Sequence, residues 1–406
     1  MFADKLLVTN GFEYFREIDP NDLTSGEKHD VDKLFGLNSF CPHPVIEDDG
    51  TLYTAGGAVW ATGAKQVIIK IPPTLSSADA KNDNNTSLRD LAKAHKVIST
   101  VAMPGLMVFN VYHSISMTEN FLVLIAQPFM FNAKKLLGIA LKGGHAALMD
   151  AAEWHPDHQN KFIIIEKKTG KIQKFHAVSN VPFYYLHYVN SFELKAKDAI
   201  IVDLITHRNP NHTMEEMLLK NLKSGNCCDP ANQGRIQRFI VPLHNFDEDS
   251  LSDAPAAPVT RRASVDIEPR CINVSHLLTP ANISERGIYS AIINPNFKFK
   301  CYRFIYANSG FDFQGQYAKQ IVKFDLETAE EDVYTCPDDV VYAEPIFIPR
   351  PHGSGEDDGV LACGAYSLTK NKPNFLLILD AKSMTEMSRV YFDTLLPYYS
   401  HGIFLP

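Results

Sequence analysis

Apolar residues in this chain come in short runs of about four to seven, and turn residues close nearly every one. Lys65–Lys70, Lys161–Glu166, Ala199–Leu204, Arg238–Leu243, Gln320–Phe324 and Phe375–Leu379 are rich in Val, Ile, Leu, Phe and Tyr. Such runs are the length of strands and too short for core helices. Turn signals recur between them, as at Asp19-Pro20-Asn21, Asp48-Asp49-Gly50, Thr169-Gly170, Asn294-Pro295-Asn296 and Asp357-Asp358-Gly359. Helical patterns are confined to Ser87–His95, Lys134–Met149 and Met214–Leu222. Many evenly spaced antiparallel strands in 406 residues restrict the fold to a pair of sandwiches or a propeller. A repeated step favours the propeller: a strand, an Asp-led turn, and another strand. It occurs at Ile18-Asp19-Pro20, Phe324-Asp325-Leu326 and Leu379-Asp380-Ala381. Blades of about 40–50 residues would place seven in such an architecture.

Charge and cysteine usage narrow the function. With 39 Lys plus Arg against 47 Asp plus Glu, the net charge of −8 lacks the basic excess a phosphate backbone requires, so nucleic acid is excluded as a partner. No apolar stretch is long enough to span a bilayer. The first residues carry neither the basic region nor the apolar core of a signal peptide. Seven cysteines, odd in number and without a CxxC pair, fit a reducing compartment. The expected location is the cytoplasm. Ser76–Ser87, Ser224–Gly234 and residues 247–269 are polar and are expected to be exposed insertions, the last of them mobile. Within that last insertion, Arg261-Arg262-Ala263-Ser264 has the form of a kinase site, a tetrapeptide common by chance.

Most of the fifteen histidines sit in polar turns, where a solvated side chain is the plain reading. Four do not. His43 lies between prolines, His113 follows Tyr112 and His187 sits in Tyr184-Tyr185-Leu186-His187-Tyr188, both on strand-like runs, and His401 lies in Tyr398-Tyr399-Ser400-His401-Gly402. A histidine on an aromatic strand is usually core filling. Four of them dispersed along a propeller-like chain also suit a metal on a central axis, because neutral imidazole binds divalent Fe, Zn or Cu.

Seven segments, in order along nearly the whole chain, then carry a family resemblance. They are Pro42-His43-Pro44 with the acidic turn to Gly50, Tyr112-His113-Ser114 running to Phe121, and His187-Tyr188-Val189-Asn190-Ser191-Phe192-Glu193. Next come Ala343-Glu344-Pro345-Ile346-Phe347, Glu356-Asp357-Asp358-Gly359, Leu377-Ile378-Leu379-Asp380-Ala381 and His401-Gly402-Ile403-Phe404. The chain resembles the carotenoid cleavage oxygenases, a family that includes the animal carotenoid oxygenases and a retinoid isomerase.

The resemblance implies an all-β, seven-bladed β-propeller with a few helices on its top face, covering residues 1–406. It also implies Fe(II) held by His43, His113, His187 and His401. Glu344 and Glu386 match the carboxylates that accept imidazole N–H groups. Four neutral imidazoles leave the iron its full charge and open positions for O2. By the same resemblance, the reaction is cleavage of one double bond of a carotenoid or apocarotenoid into two carbonyl products. A retinoid isomerohydrolase and an inactive carotenoid- or retinoid-binding form are the alternatives. No protein partner is implied. Tyr112, Phe183, Tyr185 and Phe347 flank the motifs, and tunnel lining and core packing are both open for them. Phe131–Met149 could be an amphipathic stretch on a peripheral membrane surface or an ordinary surface helix.

Two departures stand out. A third glutamate expected near the start is substituted or shifted in Thr9-Asn10-Gly11-Phe12-Glu13-Tyr14-Phe15, where Glu13 is a poor replacement. Met1 also falls inside the family pattern, by about two blades, so the expected propeller lacks its N-terminal portion and the shortened chain's activity is an open question.

Overall fold

Strands account for about half of the described residues of the computed structural model. It describes all residues except 12, 61–62, 76–86, 103–107, 111, 142–147, 175, 196–197, 217, 225–228, 244–263, 271–272, 312–316, 395 and 406. The chain divides into two compact units, Met1–His176 and Ala177–Pro406.

The first unit is a series of short antiparallel meanders. Leu6–Thr9, Tyr14–Ile18 and Ser25–Asp30 form one sheet, and Val45–Ile46, Leu52–Trp60, Gly63–Ile71 and Lys96–Ala102 form the next. Val108–Phe109, Phe129–Asn132 and Ala152–Trp154 make a third, and Ser116–Met117, Phe121–Ala126 and Lys161–Glu166 pair in order. Phe15, Val31, Leu37, Phe40, Leu52, Val67 and Ile69 form the core of the first two sheets. An apolar cavity of about 200 Å³ opens there beside Phe15, Phe35, Phe40, Pro42 and Pro44.

In the second unit, Tyr184–Leu194, Ala199–His207, Arg235–Pro242 and Ala281–Asn282 form a four-stranded sheet. A larger sheet runs Ile288–Ile292, Phe304–Phe311, Ala318–Asp325, Val340–Tyr342, Gly359–Ser367, Phe375–Asp380 and Glu386–Tyr391. Glu331–Thr335 pairs with Ala318–Asp325, and Ile346–Pro349 with Gly359–Ser367. Ala199–His207 is buried at every position, which explains its nearly unbroken apolar sequence. The one acid within it, Asp203, accepts two hydrogen bonds from Arg238 at 2.8 Å each and a third from the Tyr302 hydroxyl at 2.5 Å.

The Asp-led turns fold as their sequence suggests. Asp325 Oδ1 accepts from the amides of Glu327 and Thr328, and Asp380 Oδ1 from those of Lys382 and Ser383. Gly170 closes its turn at φ 71°, and a Cβ there would lie 1.8 Å from the Ile98 carbonyl oxygen, so only glycine fits.

Helices are as sparse as expected. Leu88–Lys93 is capped by Ser87, whose hydroxyl accepts from the Asp90 amide. The second pattern yields Ala133–Leu141 and a 3₁₀ turn at Leu148–Ala151; the third becomes a π-turn at His212–Glu216 and the helix Leu219–Ser224. The expected mobile insertion requires correction at its end. Ser264–Arg270 is a strand paired with Asn273–Thr279, while residues 247–263 lie outside the described residues. So do most of Ser76–Ser87 and the basic part of the kinase-like tetrapeptide. Among the described residues, no helix is long and apolar enough to cross a membrane.

Candidate metal centre

Each unit brings two of the four singled-out histidines together. In the first unit, His43 leaves the loop before Val45–Ile46 and makes a parallel bridge with Ser114, next to His113. The two imidazole centres are 4.8 Å apart, with ring planes at 49°. The Cys41 thiol binds both turns, donating to the carbonyls of His43 and His113 at 3.4 Å each. Burial pushes that thiol up to about 12, so it stays protonated and serves as a donor rather than a ligand. Asn110, also buried, fixes the chain before His113 by donating to the carbonyls of Gln127 and Phe129.

In the second unit, His187 lies on Tyr184–Leu194 at an irregularity in the ladder. Tyr185 pairs with Thr206 and Tyr188 with Leu204, so Leu186 and His187 together oppose Ile205. This extra residue breaks the two-residue alternation and re-aims the side chain. Asn190 anchors the same strand, accepting from the Phe299 amide and donating to the carbonyls of Phe297 and Lys300. His401 follows the last strand on irregular chain. Its imidazole centre is 4.8 Å from that of His187, with planes at 73°.

That spacing has a physical meaning. A metal–imidazole bond of about 2.1 Å puts each ring centre roughly 3.3 Å from the ion, so two ligands at right angles have centres roughly 4.6 Å apart. Both histidine pairs match it. His401 also carries the orientation a ligand needs: its Nδ1 lies 3.1 and 3.2 Å from the two Glu344 oxygens. With Nδ1–H donating to the carboxylate, the tautomer leaves the Nε2 lone pair for a metal. The hydrogen bond to Glu344 raises the His401 pKa above its usual value, with burial opposing. Lys298 responds to the same carboxylate, which partly offsets the desolvation that lowers its own pKa.

Glu386 requires correction. It lies on the strand Glu386–Tyr391, and its carboxylate is bound by Arg389, three residues on, and by the Tyr334 hydroxyl. Arg389 also pairs with Asp338, so Glu386 belongs to a surface ion-pair network. On a regular strand, residues three apart face opposite sides; the register irregularity between Glu386 and Ser388 brings Glu386 and Arg389 together, and the sequence carries no sign of it. Glu13 is exposed and does not replace the expected third glutamate. In that region Thr9 donates to the Pro42 carbonyl at 2.6 Å, and a Cβ on Gly11 would meet the Pro42 ring at 3.3 Å. The altered segment therefore buttresses the proline before His43. Tyr112, Phe183, Tyr185 and Phe347 are all buried, as core packing requires. Phe183 packs against Phe239 with tilted rings, and Phe347 against Tyr306.

A second cluster, Glu17, Glu27 and His29, has its donor atoms within 4.8 Å of one another. Lys5 and Arg89 already face its two carboxylates, and Glu17 accepts from His29, so cations of the chain itself occupy it.

The strand-rich fold belongs to one class, the β-propeller oxygenases. Over residues 1–406 the chain matches the family described as retinal pigment epithelial membrane protein, and it belongs to that family. A carotenoid-cleaving dioxygenase, mitochondrial, from Mustela putorius furo is 28% identical over 98% of this chain and 72% of its own length. The β,β-carotene 15,15'-dioxygenase of Mus musculus is 28% identical over 100% of this chain and 69% of its own. Among solved structures, a point variant of Synechocystis apocarotenoid oxygenase has a TM-score of 0.69 at 18% identity, covering 98% of this chain and 71% of that one. The cobalt-substituted form of that enzyme has a TM-score of 0.66, also at 18%, over 98% of this chain and 71% of that one. These likenesses show the propeller fold.

Proposed function

We propose that the chain is a non-haem Fe(II) dioxygenase that cleaves one double bond of a carotenoid or apocarotenoid, with His43, His113, His187 and His401 as its metal ligands. The carrying observation is the pairing of imidazoles at 4.8 Å in each unit, together with the Glu344 carboxylate on His401 Nδ1. The likeness to carotenoid-cleaving relatives supports the substrate class. Bound Fe(II) supplies the electron chemistry that lets O2 react with a closed-shell polyene. Glu344 holds the proton on Nδ1 of His401 and so keeps Nε2 unprotonated. Cys41 ties the two turns that carry His43 and His113, and the ladder irregularity at Leu186–His187 sets the aim of the third imidazole. In the balanced reaction one C=C and one O2 become two C=O, with no external reductant. The test is incubation of the iron-loaded chain with polyenes under ¹⁸O2 and chromatography of the products. Paired aldehydes or ketones carrying the label are expected. Iron-loaded protein that turns over no polyene contradicts the assignment.

A polyene resides in membranes, and the helix Ala133–Leu141 offers a contact surface. Leu137 and Leu141, one turn apart, are 58% and 80% exposed, beside Lys134 and Lys135. Burying two such side chains in a bilayer interface contributes about 3–6 kcal/mol at most. The double substitution Leu137→Asp with Leu141→Asp is expected to reduce co-sedimentation with phosphatidylcholine vesicles at least several-fold, with Tm unchanged. Undiminished co-sedimentation would remove this helix from the membrane contact.

A further inference from the structure

The segment carrying His401 has no ladder of its own. After Glu386–Tyr391 the described chain forms no strand or helix, and His401 is exposed. Ordering such a stretch costs about 1–2 kcal/mol per residue in backbone entropy, so something else must hold it. Three tyrosine hydroxyls do. Tyr366 donates to the Pro397 carbonyl at 3.0 Å, and Tyr398 to the Tyr342 carbonyl at 3.2 Å. Tyr399 accepts from the Gly364 amide at 2.9 Å and donates to the Glu344 carbonyl at 3.3 Å.

The position of the Tyr399 hydroxyl differs in kind from the other two. Tyr342 pairs with Ala365 and Ile346 with Ala362, so the intervening Glu344 passes Gly364 where the ladder is interrupted. The Gly364 amide and the Glu344 carbonyl are the donor and acceptor that a continuous antiparallel ladder would join there. The tyrosine oxygen stands between them and bridges the gap. Its ring lies against Gly364, where a Cβ would be 2.7 Å from Tyr399 Cε1. One side chain thus grips the backbone of Glu344 and, two residues on, carries His401.

We propose that Tyr399 is a positioning residue: its hydroxyl, inserted between Gly364 and Glu344, sets the His401 imidazole against the Glu344 carboxylate. The inference rests on the metal-centre reading for its consequence, and on the ladder gap for its geometry. Removing a group that orients a metal-binding histidine typically weakens metal affinity about 10–100-fold.

The test uses the full chain with Co(II) as the probe metal, comparing Tyr399→Phe with Tyr366→Phe, which loosens the same segment without touching Glu344. Tyr399→Phe is expected to weaken Co(II) binding about tenfold or more and to alter its d–d spectrum. Tyr366→Phe should keep wild-type affinity within about twofold, and both should melt near the wild-type temperature. Equal affinity in wild type and Tyr399→Phe, or equal losses in the two variants, would overturn the proposal. If wild type itself takes up no metal, the metal-centre reading fails, and the metal-free chain decides the positioning role. Loss of the His401 Nδ1–H signal to Glu344 in ¹⁵N spectra of Tyr399→Phe alone upholds it, and persistence of that signal overturns it.

Discussion

Replacing His401 with alanine is expected to leave the purified chain without stoichiometric iron and to abolish polyene cleavage. The substitution removes one of two imidazoles in the second unit and strands the Glu344 carboxylate that faced it. The loss is more than one bond. The buried Glu344 carboxylate is left with no imidazole N–H to accept. His187→Ala is expected to do the same, because its ring is the other half of the pair. His155→Ala is the matched control, a partly exposed histidine beside Glu153, and should retain iron. Metal analysis after anaerobic loading checks all three. Full iron in His401→Ala or His187→Ala would remove that histidine from the ligand set.

The second large effect concerns stability. Asp203 is fully buried, and Arg238 and Tyr302 beside it are nearly so. Burial works against the Arg238 charge, but Asp203 more than offsets it and raises the guanidinium pKa; burial, then Asp203, pushes the Tyr302 phenol well up. Asp203→Ala leaves a buried guanidinium without its counter-charge, and breaking such a pair typically costs about 3–5 kcal/mol. Denaturant unfolding should show that loss, or the variant should fail to accumulate as soluble protein. Replacing Asp203 and Arg238 together by apolar residues is expected to recover much of it, because the uncompensated charge goes too. A single Asp203→Ala variant as stable as wild type would mean that water reaches Arg238 through this sheet.

Much of the fold was legible because strands advertise themselves locally. The run Lys161–Glu166 is a strand over that very span, and the Asp-led turns at Asp325 and Asp380 close through their own side chains. What propensity could not reveal was non-local. Leu186 and His187 sit together opposite a single partner because of how Ala199–His207 pairs, and no alternation pattern in Tyr184–Leu194 announces it. The Cys41 thiol looks inert in sequence, yet it reaches the His113 carbonyl seventy-two positions away. Glu344 is readable as an acid between apolar residues, whereas the Glu386–Arg389 pair arises from a strand irregularity that no spacing in the sequence marks. The role of Tyr399 depends on a missing ladder bond two strands away in sequence, a feature only the folded sheet contains.

The central proposal is that His43, His113, His187 and His401 hold one iron. Its most direct measurement is the iron content of the anaerobically reconstituted 406-residue chain beside a variant with His43, His113, His187 and His401 all changed to alanine. The account requires about one tightly held iron per wild-type chain and none in the variant, a difference expected of a centre that has lost every ligand. Equal iron in the two proteins, or none in either, would contradict it.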